Sequence, residues 1–464
     1  MTRAWILLAV PIVAGAAAIN AFERPAVTFS ENIAPIVYQN CVTCHRPGEA
    51  APFSLITYED VKKHAKTIVK VTGSRYMPPW HATHGYGEFN DERRLTDEQI
   101  ATIADWVNHG MPEGNASKMP PLPKFTDGWH LGTPDLVVQM PAGFDLPASG
   151  PDVYRNFVVP THLTEDKWVR AIEFRPSARK VVHHVLFAYD TSGTAARRDG
   201  RDGKPGFRGM GTVGVAGATG AAGPLGGWAV GTTPAFLPDG VALPLPKGSD
   251  LILQMHFHLT GKPETEQSLI GLYFTDKAPE RRLWSLQMPA LFGFGAGIDI
   301  PPGEKNYTID DSFTLPVDVR AVFVGAHAHY LGREMKATAT LPDGTIQPLL
   351  WIQDWDFNWQ DRYIYKTPVV LPKDTRIDVH LRYDNSVDNP RNPNPTNPAH
   401  VMWGEQSFDE MGSVVLAVQA LRSEDEPAMR RALGERTRTA IANATANGTL
   451  QRFMEQRALL GGGR

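Results

Sequence analysis

Between residues 135 and 421 the apolar residues come in short alternating runs, each closed by glycine, proline, asparagine or aspartate. Strand side chains alternate faces, so runs of this kind read as half-buried strands joined by turns. The 38 Pro and 42 Gly of the 464-residue chain, set among short β-branched runs, exclude long helices from this region. Strands are expected at 135–139, 154–159, 167–174, 181–189, 250–257 and 269–275, and the same style continues from 286. The pattern predicts two all-β sandwich domains, 135–285 and 286–421. Within the first, the uncharged stretch Gly209 to Trp228 reads as a mobile loop. Within the second, Asp384 to Trp403, with five Asn and four Pro, reads as a long irregular loop.

The flanks differ. Residues 26–115 read as a small all-α domain: Ser30 opens a helix through Ile33, Ile36 and Val37, and Thr96 with Gln99 makes a capping box before Ile100, Ile103, Trp106 and Val107. Residues 116–134 read as a Pro-rich linker in which His130 is an unpartnered surface residue. Ser423 with Glu426 caps a helical segment, from about Pro427 to Leu460, in the helical tail 422–464, to which no chemistry is assigned. Residues 1–21, with Arg3 before an apolar stretch and small residues near Ala18 and Ala21, have the layout of a secretory signal. The expectation is a periplasmic or secreted protein with no membrane span in the mature form. A net charge of -4 gives no basic footprint, so nucleic acid is excluded as a partner.

An exported chain is free to use disulfides, yet both of its cysteines lie in one motif, Cys41-Val-Thr-Cys44-His45. The spacing suits two thioether bonds to haem vinyl groups, with the adjacent His45 delivered to the iron. A thioredoxin-like pair or a zinc half-site lacks the βαβ context or second cysteine pair it needs. Met77, stiffened by Pro78 and Pro79, is the expected sixth ligand; His64, His81, His84 and Met111 are the alternatives. The first helix, CVTCH, the MPPW loop and the last helix together resemble a class I-type cytochrome c domain, which implies one covalently attached haem c.

Nine of the 15 histidines lie between residues 162 and 400, and six of them form three close pairs on expected strands. His327 and His329 share a strand face, with Gly325 and Ala328 leaving room beside them. His183 and His184 point to opposite faces of a regular strand, so joint ligation would need a bulge or different ring nitrogens. A three-imidazole set alone would equally suit zinc.

HHVLF at His183 and His184, LQMHF at His256, HAHYLG at His327 and His329, and DEM at Met411 stand in the order found in the copper type II, ascorbate-dependent monooxygenases, which the chain resembles over about 135–420. The resemblance implies jelly-roll-like sandwiches and two copper ions. His183, His184 and His256 would hold an electron-transfer copper, with His258 as substitute for His256. His327, His329 and Met411 would hold the copper that activates O2, a soft donor set with an open position. The electron donor would be ascorbate or a redox protein, and the attached haem suggests a route to the three-histidine copper. Where peptide-hydroxylating members carry an Arg, an Asn and a Tyr for a substrate carboxylate, this chain has Gly325, Ser413 and Val415, which points to a small, more apolar organic substrate. The alternatives are a non-catalytic haem and copper electron-transfer or copper-binding protein, and a zinc hydrolase on His183, His184 and His256.

Overall fold

The computed structural model describes residues 26–461 apart from 48, 50, 126–127, 210–221 and 231. The segment expected to be a signal lies outside the described residues. The chain is mostly β-sheet, with a few helices at its two ends. No helix of the described residues is long and apolar enough to cross a membrane.

In the helical unit a π-turn, Phe29–Ile33, runs into the helix Ala34–Asn40, followed by the helices Tyr58–Gly73 and Asp97–Asn108. They close over Phe29, Ile33, Val61, Ile103 and Trp106. The cap is Thr28 rather than Ser30: the extra turn starts the helix earlier, Thr28 accepts from the Glu31 N–H, and Ser30 donates to the Glu113 carbonyl (2.9 Å). The Thr96–Gln99 capping box forms as expected. The Tyr58–Gly73 helix was not foreseen. It has its own Thr57–Asp60 capping box and buries Val61, Ala65 and Ile68 at helical spacing.

Two sheets face each other in the first β unit. One is ordered Phe207–Arg208, Val153–Pro160, Asp250–Phe257, Val182–Asp190, Ala222–Ala229; the other Leu136–Gln139, Leu269–Thr275, Lys167–Arg175, Leu243–Leu245. Phe157, Leu253 and Phe187 from one meet Val169, Ile270 and Leu272 from the other. All six expected strands are present. The expected mobile loop is in part a strand: Ala222–Ala229 pairs with Val182–Asp190 at the sheet edge, where Pro224 is tolerated. The rest of that stretch, 210–221, lies outside the described residues.

A second pair of sheets builds the other β unit: Trp284–Met288, Gly412–Ala420, Val319–Ala328, Arg362–Leu371 against Tyr307–Thr314, Arg376–Tyr383, Gly332–Thr340, Ile346–Ile352. Leu286, Val324 and Leu416 meet Met335, Leu350 and Leu381 in its core. The Asn-rich loop is irregular but pinned, with the buried Asn385 amide donating to the carbonyls of Pro301 (3.1 Å) and Ala399 (2.7 Å).

The units are stitched together. Ala82 and Phe89 of the helical unit bridge to Ile352 and Tyr365, the Thr83 and Asn90 N–H groups bond the carbonyls of Trp351 (2.7 Å) and Ile364 (2.8 Å), and Phe89 is buried in the second β core. The linker is latched too, which corrects the reading of His130. Its Nδ1 lies 2.9 Å from the buried Glu173 carboxylate, whose oxygens also take the N–H groups of His130 and Leu131. A long sequence separation hid that partner. The tail forms the helices Glu426–Ala446 and Thr449–Gly461, burying Met429 and Ala444. Its first helix starts at Glu426, within a residue of the expected Pro427, but the cap position is Asp425 rather than Ser423, because Ser423–Asp425 take a tighter 3₁₀ turn.

Candidate metal centre

Three imidazoles converge where Val182–Asp190 and Asp250–Phe257 pair. His184 stands opposite His256, and the ladder shifts between Val182 and His184, so a bulge turns His183 to the same side as its neighbour. The Nδ1 atoms of His183 and His184 are 3.1 Å apart and those of His184 and His256 are 3.4 Å apart. One nitrogen from each ring fits within a 4.8 Å span. The tautomer of His256 follows from its partner: Nε2–H donates to Asp152 (2.9 Å), leaving Nδ1 bare toward the other two rings. Asp152 also accepts from His258 Nδ1 (3.0 Å) and the Ser407 hydroxyl. Burial opposes its ionisation, yet these bonds hold its pKa well below the usual carboxylate range. Half-exposed His258 is thereby engaged on the carboxylate, while buried His256 faces the centre. Burial lowers the pKa of His183 to about 3 and that of His184 well below its ordinary value. One nitrogen from each neutral ring can turn to a common point, where a cation would lie among them. The donor set fits a metal ion.

The second cluster sits at the end of Val319–Ala328. His327 Nδ1–H donates to Gln360 Oε1 (2.6 Å), whose amide nitrogen is turned to the Phe357 carbonyl, and His329 Nδ1–H donates to the Asp409 carbonyl (3.0 Å). Both Nε2 atoms are left as ligands. Burial lowers the pKa of His327 to about 4 and that of His329 well below its ordinary value. Ala328 pairs with Gly412, so Met411 comes in beside His329, buried at the start of the adjoining strand. One carboxylate braces them: Glu410 accepts the N–H groups of His329, Leu331 (3.0 Å) and Met411 (2.9 Å). Burial raises the Glu410 pKa to about 8 against those bonds. The Phe292 ring stands against His327 (5.1 Å between centroids), on a backbone where Leu291 and Phe292 both have positive φ, 53° and 54°. Two bulky residues held there are strained, which marks a fixed wall beside the imidazole.

The two clusters adjoin. The rings of His184 and His327 lie 6.4 Å apart, and Phe357 fills the gap, stacked on His183 (4.3 Å) and against His329 (5.5 Å). Gly325, Ser413 and Val415 lie on the same two strands. Directly across from Gly325 is Arg362, whose guanidinium lies over the Phe323 ring (5.1 Å).

Cys41 and Cys44 follow the Ala34–Asn40 helix in a turn, with the His45 N–H on the Cys41 carbonyl (2.9 Å). His45 Nδ1–H donates to the Phe53 carbonyl (3.1 Å), which leaves Nε2 as a ligand. Burial raises the Cys41 pKa to about 12 and raises that of Cys44, so neither is a thiolate poised for disulfide exchange. The residues fit thioether attachment of a haem with His45 on its iron. Half-buried Met77 follows the Tyr58–Gly73 helix. Of the alternatives, His64 lies across Phe53 from His45, stacked on that ring (3.9 Å), His81 is bonded to the Asp354 carbonyl (3.0 Å), His84 to Glu92 (2.9 Å), and the Met111 carbonyl accepts from Tyr58 (2.8 Å).

Sequence reasoning missed Asp152, Tyr154, Ser407, Gln360, Phe357 and Glu410. Tyr154 lies flat on His256 (4.2 Å between centroids), and its register opposite His256 is legible only once the strands are paired. Glu410 alone carried a signal, an acid beside Met411 in an apolar setting.

No family model matches the chain, and no curated protein matches it. Among solved structures, the VP2 subviral particle of infectious bursal disease virus shares 10% identity over 61% of this chain and 72% of that one, with a TM-score of 0.17. The major capsid protein P2 of bacteriophage PM2 gives 11%, 59%, 98% and 0.21 for the same measures. A peptide-N(4)-(N-acetyl-β-D-glucosaminyl) asparagine amidase gives 9%, 61%, 96% and 0.24. Likeness this low carries no argument about family or activity.

Proposed function

We propose that the chain is an exported copper monooxygenase that hydroxylates a C–H bond of a small organic molecule with O2, drawing electrons through a covalently attached haem c. In this reading residues 26–115 are a class I-type cytochrome c domain and the two β units are jelly-roll-like sandwiches. The observation that carries the reading is the pair of adjoining imidazole clusters in which an oxygen acceptor holds one nitrogen each of His256, His327 and His329 and leaves the other nitrogen of each ring bare. His183, His184 and His256 would hold one copper; His327, His329 and Met411 would hold the other. Copper with two imidazoles and a thioether supplies one-electron chemistry and an open position for O2.

The protein's own part is positioning. Glu410 fixes the backbone of both His329 and Met411, Gln360 sets the His327 ring, and Asp152 sets His256. Phe357 and Phe292 keep the space between the clusters apolar, which suits a hydrocarbon portion of the substrate. The overall change is R–H + O2 + 2 e⁻ + 2 H⁺ → R–OH + H2O, with ascorbate or a redox protein as the donor.

The test is metal content followed by O2 uptake on the exported, haem-matured protein. Two coppers and one haem per chain are expected, with reductant-dependent O2 uptake abolished by Met411→Ile while haem attachment and the three-histidine copper remain. Zinc in place of copper with no uptake would leave a hydrolase. Copper with air oxidation but no hydroxylated product from any substrate would leave an electron carrier.

A further inference from the structure

The support of one imidazole cluster touches the support of the other. Asp152 precedes the strand Val153–Pro160 of the first β unit, and Ser407 lies in the turn before Met411 of the second, 255 residues further on. Both side chains are buried, Ser407 at 1% exposure and Asp152 at 5%. The Ser407 hydroxyl donates to Asp152 Oδ2, the same oxygen that takes the Nε2–H of His256 (2.9 Å). One carboxylate is therefore shared by a ligand of the first unit and a turn of the second.

That turn is closed by its own hydrogen bonds. The Asp409 N–H bonds the Gln406 carbonyl (2.9 Å), the Gln406 N–H bonds Asp409 Oδ2 (3.1 Å), and the Gly404 N–H bonds the Glu410 carbonyl (3.2 Å). It also closes tightly, since a Cβ on Gly404 would strike the Asp409 carboxylate. The same segment carries the supports of the second cluster: the Asp409 carbonyl accepts from His329 Nδ1 (3.0 Å), and Glu410 accepts the N–H groups of His329 and Met411. A shift of Ser407 is thus passed on to His329 and Met411.

We propose that Ser407 is a positioning residue that couples the two metal sites, so that copper held by His183, His184 and His256 tightens the binding of copper by His327, His329 and Met411. The coupling rests on the reading of the preceding section. A cation on His256 Nδ1 draws charge from the ring and makes its Nε2–H a stronger donor, which fixes Asp152. Asp152 in turn fixes the Ser407 hydroxyl, and the turn then holds the Asp409 carbonyl and Met411 in place beside His329. With the first site empty, the His256 ring is free to take its other tautomer, and a bare Nε2 turned to Asp152 loosens the carboxylate from its seat. The coupling is reciprocal: copper at the second site steadies Ser407 and, through it, Asp152 and His256.

The experiment is anaerobic Cu(I) titration of the exported, haem-matured protein against a competing chelator. The thioether site is read by copper–sulfur scattering in X-ray absorption, which an all-imidazole site lacks. In the parent, emptying the first site by His183→Ala with His184→Ala should weaken copper binding at the thioether site about tenfold. In Ser407→Ala the same emptying should change that affinity by less than about twofold, and Ser407→Thr, which keeps the hydroxyl, should restore the parent ratio. A merely structural role would lower the affinities in Ser407→Ala and leave the ratio, so a parent-like ratio there overturns the coupling. A ratio at or below one in the parent overturns it too, because repulsion between neighbouring cations would then prevail. Should Ser407→Ala fail to fold, Ser407→Cys, close in size and a poorer donor, makes the same test. A parent that binds no copper overturns the monooxygenase reading as well, whereas two coppers bound without coupling overturn only the role of Ser407.

Discussion

The Asp152 carboxylate sets the polarity of a whole cluster: by taking the His256 Nε2–H it decides which face of that ring is a ligand. Asp152→Asn keeps the shape but removes the charge and permits the other tautomer. Copper affinity at the three-histidine site should fall by about 10- to 100-fold, measured by competitive copper titration. An unchanged affinity would mean that His256 is oriented by its stack on Tyr154 alone. Which residues make the clusters was legible in the sequence, because paired histidines on alternating strands stand out. Their supports were not. Asp152 is 104 positions from His256 and Gln360 is 33 from His327, and neither neighbourhood has a composition that marks it. The reading of His130 failed for the same reason, its partner Glu173 being 43 residues away.

Strands, unlike side-chain partners, announce themselves locally. The alternation that buries one face also gave the runs near 135, 154, 167, 181, 250 and 269, and all are present to within about two residues. What alternation could not give was the edge strand Ala222–Ala229, whose small residues carry no period, nor where helices begin, since an extra turn displaced two caps. The bulge at His183 is the element-level device that the adjacent histidines required in advance. Gly412 plays a comparable part at the other cluster: a Cβ there would strike the Tyr383 hydroxyl, which now donates to the Met411 carbonyl (3.2 Å). Gly412→Ala should cost about 1–3 kcal/mol of stability and weaken metal binding at the thioether site, read by thermal melts and copper titration. Wild-type melting and affinity together would show that Tyr383 moves freely aside.

At the scale of the molecule, five imidazoles are held neutral in one interior. The unfolded chain takes up their protons near pH 6.5, whereas His183 and His327 in the folded chain do so only near about 3 and about 4. The unfolded state therefore binds more protons across that window, and the metal-free protein should lose stability as the pH drops from 7 toward 4. Each such group adds up to about 1.4 kcal/mol per pH unit to the slope. His258 works in the opposite sense: Asp152 raises its pKa, so its contribution is present below pH 6.5 and fades as the pH climbs through the folded value. Urea midpoints at pH 7.5 and 5 measure the balance, and equal midpoints would contradict the buried neutral cluster. The docking of Phe89 in the second β core has a different consequence. The boundary near residue 115 divides the amino-acid sequence but not the folded body. A protease nick at exposed Lys118 should leave two fragments that co-elute on a sizing column at the parent position and part only in denaturant. The helical unit is no detachable cartridge, and a gene truncated before residue 135 would lay bare the apolar groove that Ala82 and Phe89 now plug.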